Sequence, residues 1–509
     1  MSRFSIVTFG CQMNEHDSAR MGEILRASGH TEVASPVDAD IVVLNTCSVR
    51  DKAEQKLRSE VGRLALRKRE QRDFVIVVSG CVGQQEGEKL LKAAPEVDLV
   101  IGPDNIPLLP ALLADIEHGG PKRAITEFDL DAPRFLSATV EGGHAPPSTY
   151  VTVMKGCNER CSFCIVPYTR GAERYRGSHE ILDEVERLVE GGVREITLLG
   201  QTVNSYRDPD RALPKAEDAG RCDWAHTSRQ VAETDESEFP SLLDAIAARA
   251  PKLRRLRYTS PHPRHLTRAL ISAHRRLDVL AKHLHLPVQS GSNAMLKRMI
   301  RRYTREEYIE RITALRDAVS GIGLSTDVIV GFPGETRAQF DETVSLVEEV
   351  GFLGLFGFKY SPRPGTPSLK LGDDVTEEEK AERLEILFER HDRMRRAHLA
   401  SLVGTEQVVL VEGRKKDGAY TGRTERNEIV HFGARTDLTG ELVKVRIALA
   451  FKNSLGAEIE DESIRIAVTD LPKVAAHAED GMLQAAEPSD SIGRSSRADA
   501  APKRALPVI

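Results

Sequence analysis

Four apolar runs near the N-terminus, FSIVTF from Phe4, IVVLN from Ile41, FVIVVSG from Phe74 and VDLVIG from Val97, alternate with polar stretches of helical character such as SARMGEILRASG. Strand-helix-strand repetition of this kind argues for a parallel sheet covered by helices. In such a sheet all strand C-termini lie along one edge. Three of the runs end in cysteine-bearing turns: Phe9-Gly10-Cys11, Asn45-Thr46-Cys47 and Ser79-Gly80-Cys81. The fold therefore predicts that three thiols distant in sequence meet in space. A lone buried cysteine is ordinarily a small core hydrophobe. Three that each follow a strand, two of them after glycine, read instead as ligands of a three-cysteine iron-sulfur cluster with one open iron.

A second set is local. Cys157, Cys161 and Cys164, in KGCNERCSFCIVPYTRG, form a CxxxCxxC triad with no fourth cysteine nearby. A four-iron cluster has four corners, so three thiolates leave one iron free, and an open position separates a reactive metal site from a structural one. Zinc sites show paired CxxC units or a CxxC with spaced histidines, and neither completes the set here. YVTVMK, from Tyr150 to Lys155, reads as a strand that Gly156 ends directly before the first ligand. The triad thus sits on a loop after a strand, where α/β barrels keep their chemistry.

A chain of 509 residues predicts several domains. Its formal charge of -6 leaves any RNA contact to local basic patches. Seven cysteines are too few for a disulfide scaffold in so long a chain. The opening MSRFSIVTFG lacks the regions of a signal peptide, and no apolar run suffices to span a bilayer. A soluble, cytoplasmic protein in a reducing compartment is expected, with no membrane partner.

Residues 1–120 are expected to form the first α/β domain and 121–148, with GGHAPPS, a linker. After it, YVTVMK, REITLLGQ, LRRLRYTS, HLHLPVQS, LSTDVIVGFPG and LFGFKYSPRPG read as six strands separated by helices. That count predicts a partial (βα)6 barrel over 149–400 rather than a closed eight-stranded one. A polar stretch at 207–238, which holds Trp224 and the unassigned Cys222, reads as an exposed insertion. The charged helix VTEEEKAERLEILFERHDRMRRAHLASLVG leads to short alternating runs over 401–470, expected as a small antiparallel β-barrel. Residues 471–509, poor in large apolar groups, are expected to be disordered.

GCQMNEHDS from Gly10, NTCSVRDKAEQK from Asn45, SGC at Ser79, the CxxxCxxC run, GQTVNSY from Gly200, LKRMIRRYT from Leu296, TDVIVGFPGET from Thr326, FKYSPRPGTP from Phe358 and GRTERNEIVHF from Gly422 occur in this order. Together they resemble the radical S-adenosylmethionine (SAM) methylthiotransferases, nearest the tRNA 2-methylthio-N6-dimethylallyladenosine synthases, from about residue 3 to 469. The resemblance implies two 4Fe-4S clusters, an auxiliary one on Cys11, Cys47 and Cys81 and a SAM-cleaving one on Cys157, Cys161 and Cys164. It implies a C-terminal barrel similar to the RNA-binding TRAM domain. It also implies addition of a methylthio group to carbon 2 of an isopentenylated adenosine beside the anticodon, using two SAM. A low-potential electron donor such as flavodoxin or ferredoxin is the expected partner, and a monomer the expected state.

Phe163, between two triad ligands, resembles the aromatic position near the SAM adenine. Gln201, Gln289, Ser290 and Asp327 fall at predicted strand ends on the active face as candidates for SAM or substrate contact, and Gly331, Gly334 and Glu335 are candidates for bringing backbone close to SAM. Arg298, Arg301, Arg302 and Arg305, with Tyr303 among them, resemble a patch for tRNA phosphates. Arg414, Lys415, Lys416, Arg423 and Arg426 in the small barrel form another, beside Phe432, which either stacks on RNA or fills the barrel. Arg393, Arg395 and Arg396 read equally as a solvated helix face. Thr202 and Tyr175 depart from the family pattern, which has asparagine and serine there.

Two other readings stand beside this one. The same chemistry on threonylcarbamoyladenosine in tRNA or on a ribosomal-protein aspartate is less favoured by the GRTERNEIVHF and RRYTREEY runs. A non-enzymatic iron-sulfur RNA-binding protein would release no 5′-deoxyadenosine from SAM.

Overall fold

The computed structural model describes residues 1–49, 51–130, 133–138, 145–213 and 237–468. Cys222, Trp224, most of the 207–238 insertion and the 471–509 tail lie outside the described residues. At the N-terminus, β1 (Arg3–Phe9), β2 (Thr31–Glu32), β3 (Ile41–Thr46), β4 (Val75–Ser79), β5 (Leu99–Ile101) and β6 (Arg123–Ile125) form one sheet in the order β2-β1-β3-β4-β5-β6. Every pairing in it is parallel. Strands β3, β4 and β5 are buried along their whole length, as their apolar runs require, with polar Asn45, Thr46 and Ser79 at the C-terminal ends of β3 and β4. The two short strands β2 and β6 extend the expected sheet at its edges, and β6 falls within the segment expected as linker.

The central strands are β7 (Ser148–Thr152), β8 (Met154–Lys155), β9 (Arg174–Tyr175), β10 (Glu195–Leu199), β11 (Arg255–Tyr258), β12 (His283–His285), β13 (Gly323–Val330) and β14 (Gly354–Lys359). Strands β7, β10 and β11 pair in parallel, as do β12, β13 and β14. A parallel bridge from Leu256 to Leu280 joins the two halves. Six strands therefore curve in chain order into the expected partial barrel. Their outward residues, such as Leu198, Leu256, Leu284, Leu324 and Val328, pack under helices that include Ser178–Glu190, Phe239–Arg249 and Arg305–Ala318. The short pair β8-β9 is antiparallel and brackets the CxxxCxxC loop.

The helix Glu377–Ser401, opened by a capping box between Thr376 and Glu379, leads into the last unit. There β15 (Glu406–Arg414), β16 (Tyr420–Arg423), β17 (Ile429–Ala434), β18 (Leu442–Ala450) and β19 (Leu455–Ile459) close into a five-stranded barrel, and β20 (Arg465–Ile466) adds to β17. The closure is not wholly antiparallel, because β17 and β19 run parallel. No helix among the described residues is long and apolar enough to cross a membrane.

Candidate active site

The first triad forms where the N-terminal sheet ends. Phe9 pairs with Thr46 and Asn45 with Ser79, so Cys11, Cys47 and Cys81 leave three neighbouring strands at one edge. Gly80 has φ +87°, and a Cβ there would overlap the Asn45 side chain and lie 2.7 Å from the Thr46 carbonyl oxygen. Only glycine lets the turns bearing Cys47 and Cys81 approach this closely. The two asparagines of the NEHDS and NTC motifs set the remaining spacing. Buried Asn14 donates from Nδ2 to Asn45 Oδ1 at 3.0 Å, and Asn45 Nδ2 donates to the Asn14 carbonyl at 2.8 Å. The Cys47 thiol donates to the Cys11 sulfur, which brings Cys11 down to about 6 against the opposing effect of burial. Cys47 itself is pushed well up by that bond, by burial, and by the charges of Cys11 and Cys81.

The second triad follows β8. Gly156 has φ +78°, and a side chain there would overlap the Ala172 carbonyl. This turn delivers Cys157 to the barrel's C-terminal face, where Gly156 N–H donates to Gln201 Oε1 at 2.5 Å. Burial pushes the Cys157 thiol up to about 11, while the Thr202 hydroxyl, 2.9 Å from its sulfur, opposes the rise. Burial and the charge of Cys161 push Cys164 up to about 12. The loop is clamped from outside by Ser162, whose N–H and hydroxyl donate to the Met299 and Arg298 carbonyls at 3.0 and 2.9 Å. That bracing segment carries Ile300 and Arg302 in the left-handed region, an unfavourable conformation held by its surroundings.

The donor set of each triad, three free thiols, is the kind that ligates iron-sulfur clusters. Glu159, His262 and His265 form a separate buried group whose ligand atoms lie within 4.8 Å of one another.

The N-terminal domain and the barrel meet through buried charge. Arg170, six residues past Cys164, donates from Nε to Cys81 Sγ at 3.4 Å and from Nη2 to Asp17 Oδ2 at 2.7 Å. Lys155 and Arg174 both pair with buried Asp104. Arg363 donates to Glu54 at 3.2 Å and to the Val49 carbonyl at 2.7 Å, just beyond Cys47. Buried pairs of this kind strongly penalise loss of either partner. They hold the first triad against the face that carries the second.

The other candidate residues divide. Half-buried Phe163 meets Phe332 edge-on at 6.4 Å, and Phe332 meets Tyr360 at 5.2 Å, giving an apolar wall beside the second triad. Gln201 lies against Gly156, with its Nε2 buried and without a partner among the described residues. Gln289 adopts φ +72° and bridges to β13 at Val328. Asp327 lies 3.4 Å from His285 Nε2 on β12. Gly331 and Gly334 both have positive φ; Lys380 packs over the first and Arg298 over the second. Ser290 and Glu335 are engaged within the protein. The Ser290 hydroxyl bonds Thr343, and the fully buried Glu335 carboxylate accepts from Gly331 N–H and Arg383.

The basic candidates divide as well. Arg298 and Arg302 are exposed, whereas Arg305 is held by Ser345 and Glu349. Arg301 is a correction: only 6% exposed, it turns inward and donates to Cys161 Sγ at 3.3 Å, Tyr303 Oη at 3.0 Å and the Pro287 carbonyl at 2.9 Å. It is therefore inaccessible to a surface phosphate. Arg414 and Lys416 are exposed, while Lys415 meets His431, Arg423 pairs with Glu412 and Arg426 with Glu428. Phe432 is the second correction: fully buried, it stacks on Tyr420 at 5.9 Å inside the barrel. Of the helix arginines, Arg393 and Arg396 are exposed and Arg395 donates to the Asn453 carbonyl. Sequence reasoning missed Asn14, Asn45, Arg170 and Arg363 as site residues. The first three lie inside or beside the cysteine motifs, and Arg363 lies in the FKYSPRPGTP run, so each had a motif that could have flagged it.

Three family models match the chain: "Uncharacterized protein family UPF0004" over residues 3–102, "Radical SAM superfamily" over 151–347 and "TRAM domain" over 400–459. Fold and site thus define a radical SAM enzyme with a second cysteine site and a TRAM barrel. A tRNA-2-methylthio-N(6)-dimethylallyladenosine synthase of Sorangium cellulosum is 60% identical over 91% of this chain and 94% of its own length. Synthases of the same name from Alkalilimnicola ehrlichii and Geobacter metallireducens are each 43% identical, over 90% and 89% of this chain and 97% of their own. The chain belongs to the tRNA-2-methylthio-N(6)-dimethylallyladenosine synthase family. Among solved structures, the radical SAM methyltransferase TsrM of Kitasatospora setae aligns over 83% of this chain and 81% of its own with a TM-score of 0.49 and 14% identity.

Proposed function

We propose that the chain adds a methylthio group to carbon 2 of N6-isopentenyladenosine beside the anticodon of tRNA, using two SAM and two 4Fe-4S clusters, one on each cysteine triad. The observation that carries this reading is the reach of Arg170, six residues past the last cysteine of the second triad, to Cys81 of the first. An aromatic carbon-hydrogen bond has no acidic proton for a base to take, so the reaction needs a radical and a sulfur source side by side. When bound, the groups at the two triads supply these: SAM cleavage to a 5′-deoxyadenosyl radical at Cys157, Cys161 and Cys164, and sulfur at Cys11, Cys47 and Cys81.

The chain's own residues bind and enclose. Phe163, Phe332 and Tyr360 offer an apolar face to the adenine of SAM, and Gln201 Nε2, without a partner among the described residues, offers a donor to its polar end. Asp327 and Gln289 stand on the same barrel face for SAM or substrate. The interlocked domains keep water from the radical. Exposed Arg298, Arg302, Arg414 and Lys416 suit phosphate contacts that position the anticodon stem without reading its sequence. A cytoplasmic monomer served by flavodoxin or ferredoxin completes the reading.

Mass spectrometry of tRNA nucleosides from cells with and without the gene tests it. Loss of 2-methylthio-isopentenyladenosine, with isopentenyladenosine accumulating, is expected. An unchanged methylthio nucleoside in a cell with no second such enzyme contradicts the reading, and loss from threonylcarbamoyladenosine instead would reassign the substrate.

A further inference from the structure

Each cysteine triad has one buried guanidinium on one of its sulfur atoms. Arg170 reaches Cys81 at 3.4 Å and Arg301 reaches Cys161 at 3.3 Å. Both side chains are almost wholly buried, at 4% and 6% exposure, so neither is screened by solvent. They differ in what else they hold. Arg170 also meets Asp17, a carboxylate, whereas Arg301 meets two neutral oxygens, those of Tyr303 and Pro287. Among the described residues, Arg301 thus has no carboxylate within hydrogen-bonding distance to offset its charge beside Cys161 Sγ.

Buried charge is costly unless compensated. A thiolate-ligated cluster is anionic and gains one further negative charge when it takes an electron. Hydrogen bonds and positive charge at the ligand sulfurs favour that reduced state and raise the potential. We infer that Arg170 and Arg301 are a matched pair of positioning residues, each holding one ligand sulfur of its triad and raising the reduction potential of the cluster bound there. The inference rests on the two-cluster reading. It assigns the larger influence to Arg301, because Asp17 offsets part of the Arg170 charge.

The test is a reductive titration, with dithionite and a low-potential mediator set, of the full chain reconstituted anaerobically with iron and sulfide and read by electron paramagnetic resonance. Alanine at Cys11, Cys47 and Cys81 leaves one cluster; alanine at Cys157, Cys161 and Cys164 leaves the other. In the first background, Arg301→Met is expected to lower the midpoint potential and Arg170→Met to leave it. In the second, Arg170→Met is expected to lower it, by less, and Arg301→Met to leave it. Arg→Gln, which keeps an N–H donor without charge, should fall between wild type and Met. Unchanged midpoints at full iron content, or equal shifts from either arginine in both backgrounds, would overturn the inference. Where a Met variant does not hold its iron, the Gln variant decides: a lowered midpoint supports the role and an unshifted one overturns it. Failure of the Cys157, Cys161 and Cys164 alanine background to bind any iron would instead remove the second cluster, and the Arg170 assignment with it.

Discussion

At the scale of single residues, chemistry and scaffold meet at Asp17. Burial alone would raise its carboxyl, but the charge and hydrogen bonds of Arg170 and His16 bring it down from 3.8 to about 2. A carboxylate depressed by folding contributes stability that is present above its unfolded value and lost as pH falls through the folded one. Asp17→Asn is therefore expected to cost about 2 to 4 kcal/mol at pH 7, from the shift itself and from the charge it leaves on Arg170. Denaturant titration checks this. The gap between wild type and variant should narrow as pH drops from about 4 toward about 2, where the wild-type carboxyl also loses its charge. A gap independent of pH would show that the ion pair is not its source. The same scale shows where sequence falls short. In LKRMIRRYT every arginine reads alike, yet Arg301 turns inward on Cys161 while Arg302 stays in solvent. Left-handed backbone at Ile300 and Arg302 redirects the chain there, and no residue type in the run announces it.

At the scale of elements, the predictable part is the sheet edge. Apolar runs without alternation imply parallel strands buried on both faces, and strand polarity then forces Cys11, Cys47 and Cys81 together without any local motif joining them. The glycine between Ser79 and Cys81 is the tightest point of that edge. Gly80→Ala would place a methyl against Asn45 and Thr46, so iron per chain should fall from about eight atoms to about four, measured after anaerobic reconstitution. In the small barrel, basic side chains and an aromatic read equally as RNA contacts. The period-two alternation of β17 instead buries Val430, Phe432 and Ala434. Phe432→Ala is expected to destabilise that barrel by about 3 to 5 kcal/mol. Arg414→Ala with Lys416→Ala should leave its melting unchanged, weaken anticodon stem-loop binding and reduce the salt dependence by about one ion for each phosphate no longer neutralised. Binding measured across a salt series separates these outcomes; an unaltered slope would remove both side chains from the RNA surface.

At the scale of the whole molecule, the partial barrel and the N-terminal sheet are joined by buried and part-buried ion pairs rather than by one continuous apolar core. Asp17 with Arg170, Asp104 with Lys155 and Arg174, and Glu54 with Arg363 all cross that junction. None is readable from sequence, because each pairs residues from separate domains and depends on how the units dock. Six barrel strands and three domains, by contrast, follow from the order of apolar runs and turns. What docking adds is proximity: Arg170, just past the triad proposed to generate the radical, reaches Cys81 of the triad proposed to supply sulfur. The most direct test of that division of labour removes the second site alone. Cys81→Ala, reconstituted anaerobically and given SAM, reductant and tRNA bearing isopentenyladenosine, is expected to release 5′-deoxyadenosine while forming no methylthio nucleoside. Methylthiolation at the wild-type rate by Cys81→Ala, or loss of SAM cleavage at full Cys157, Cys161 and Cys164 iron content, would contradict it.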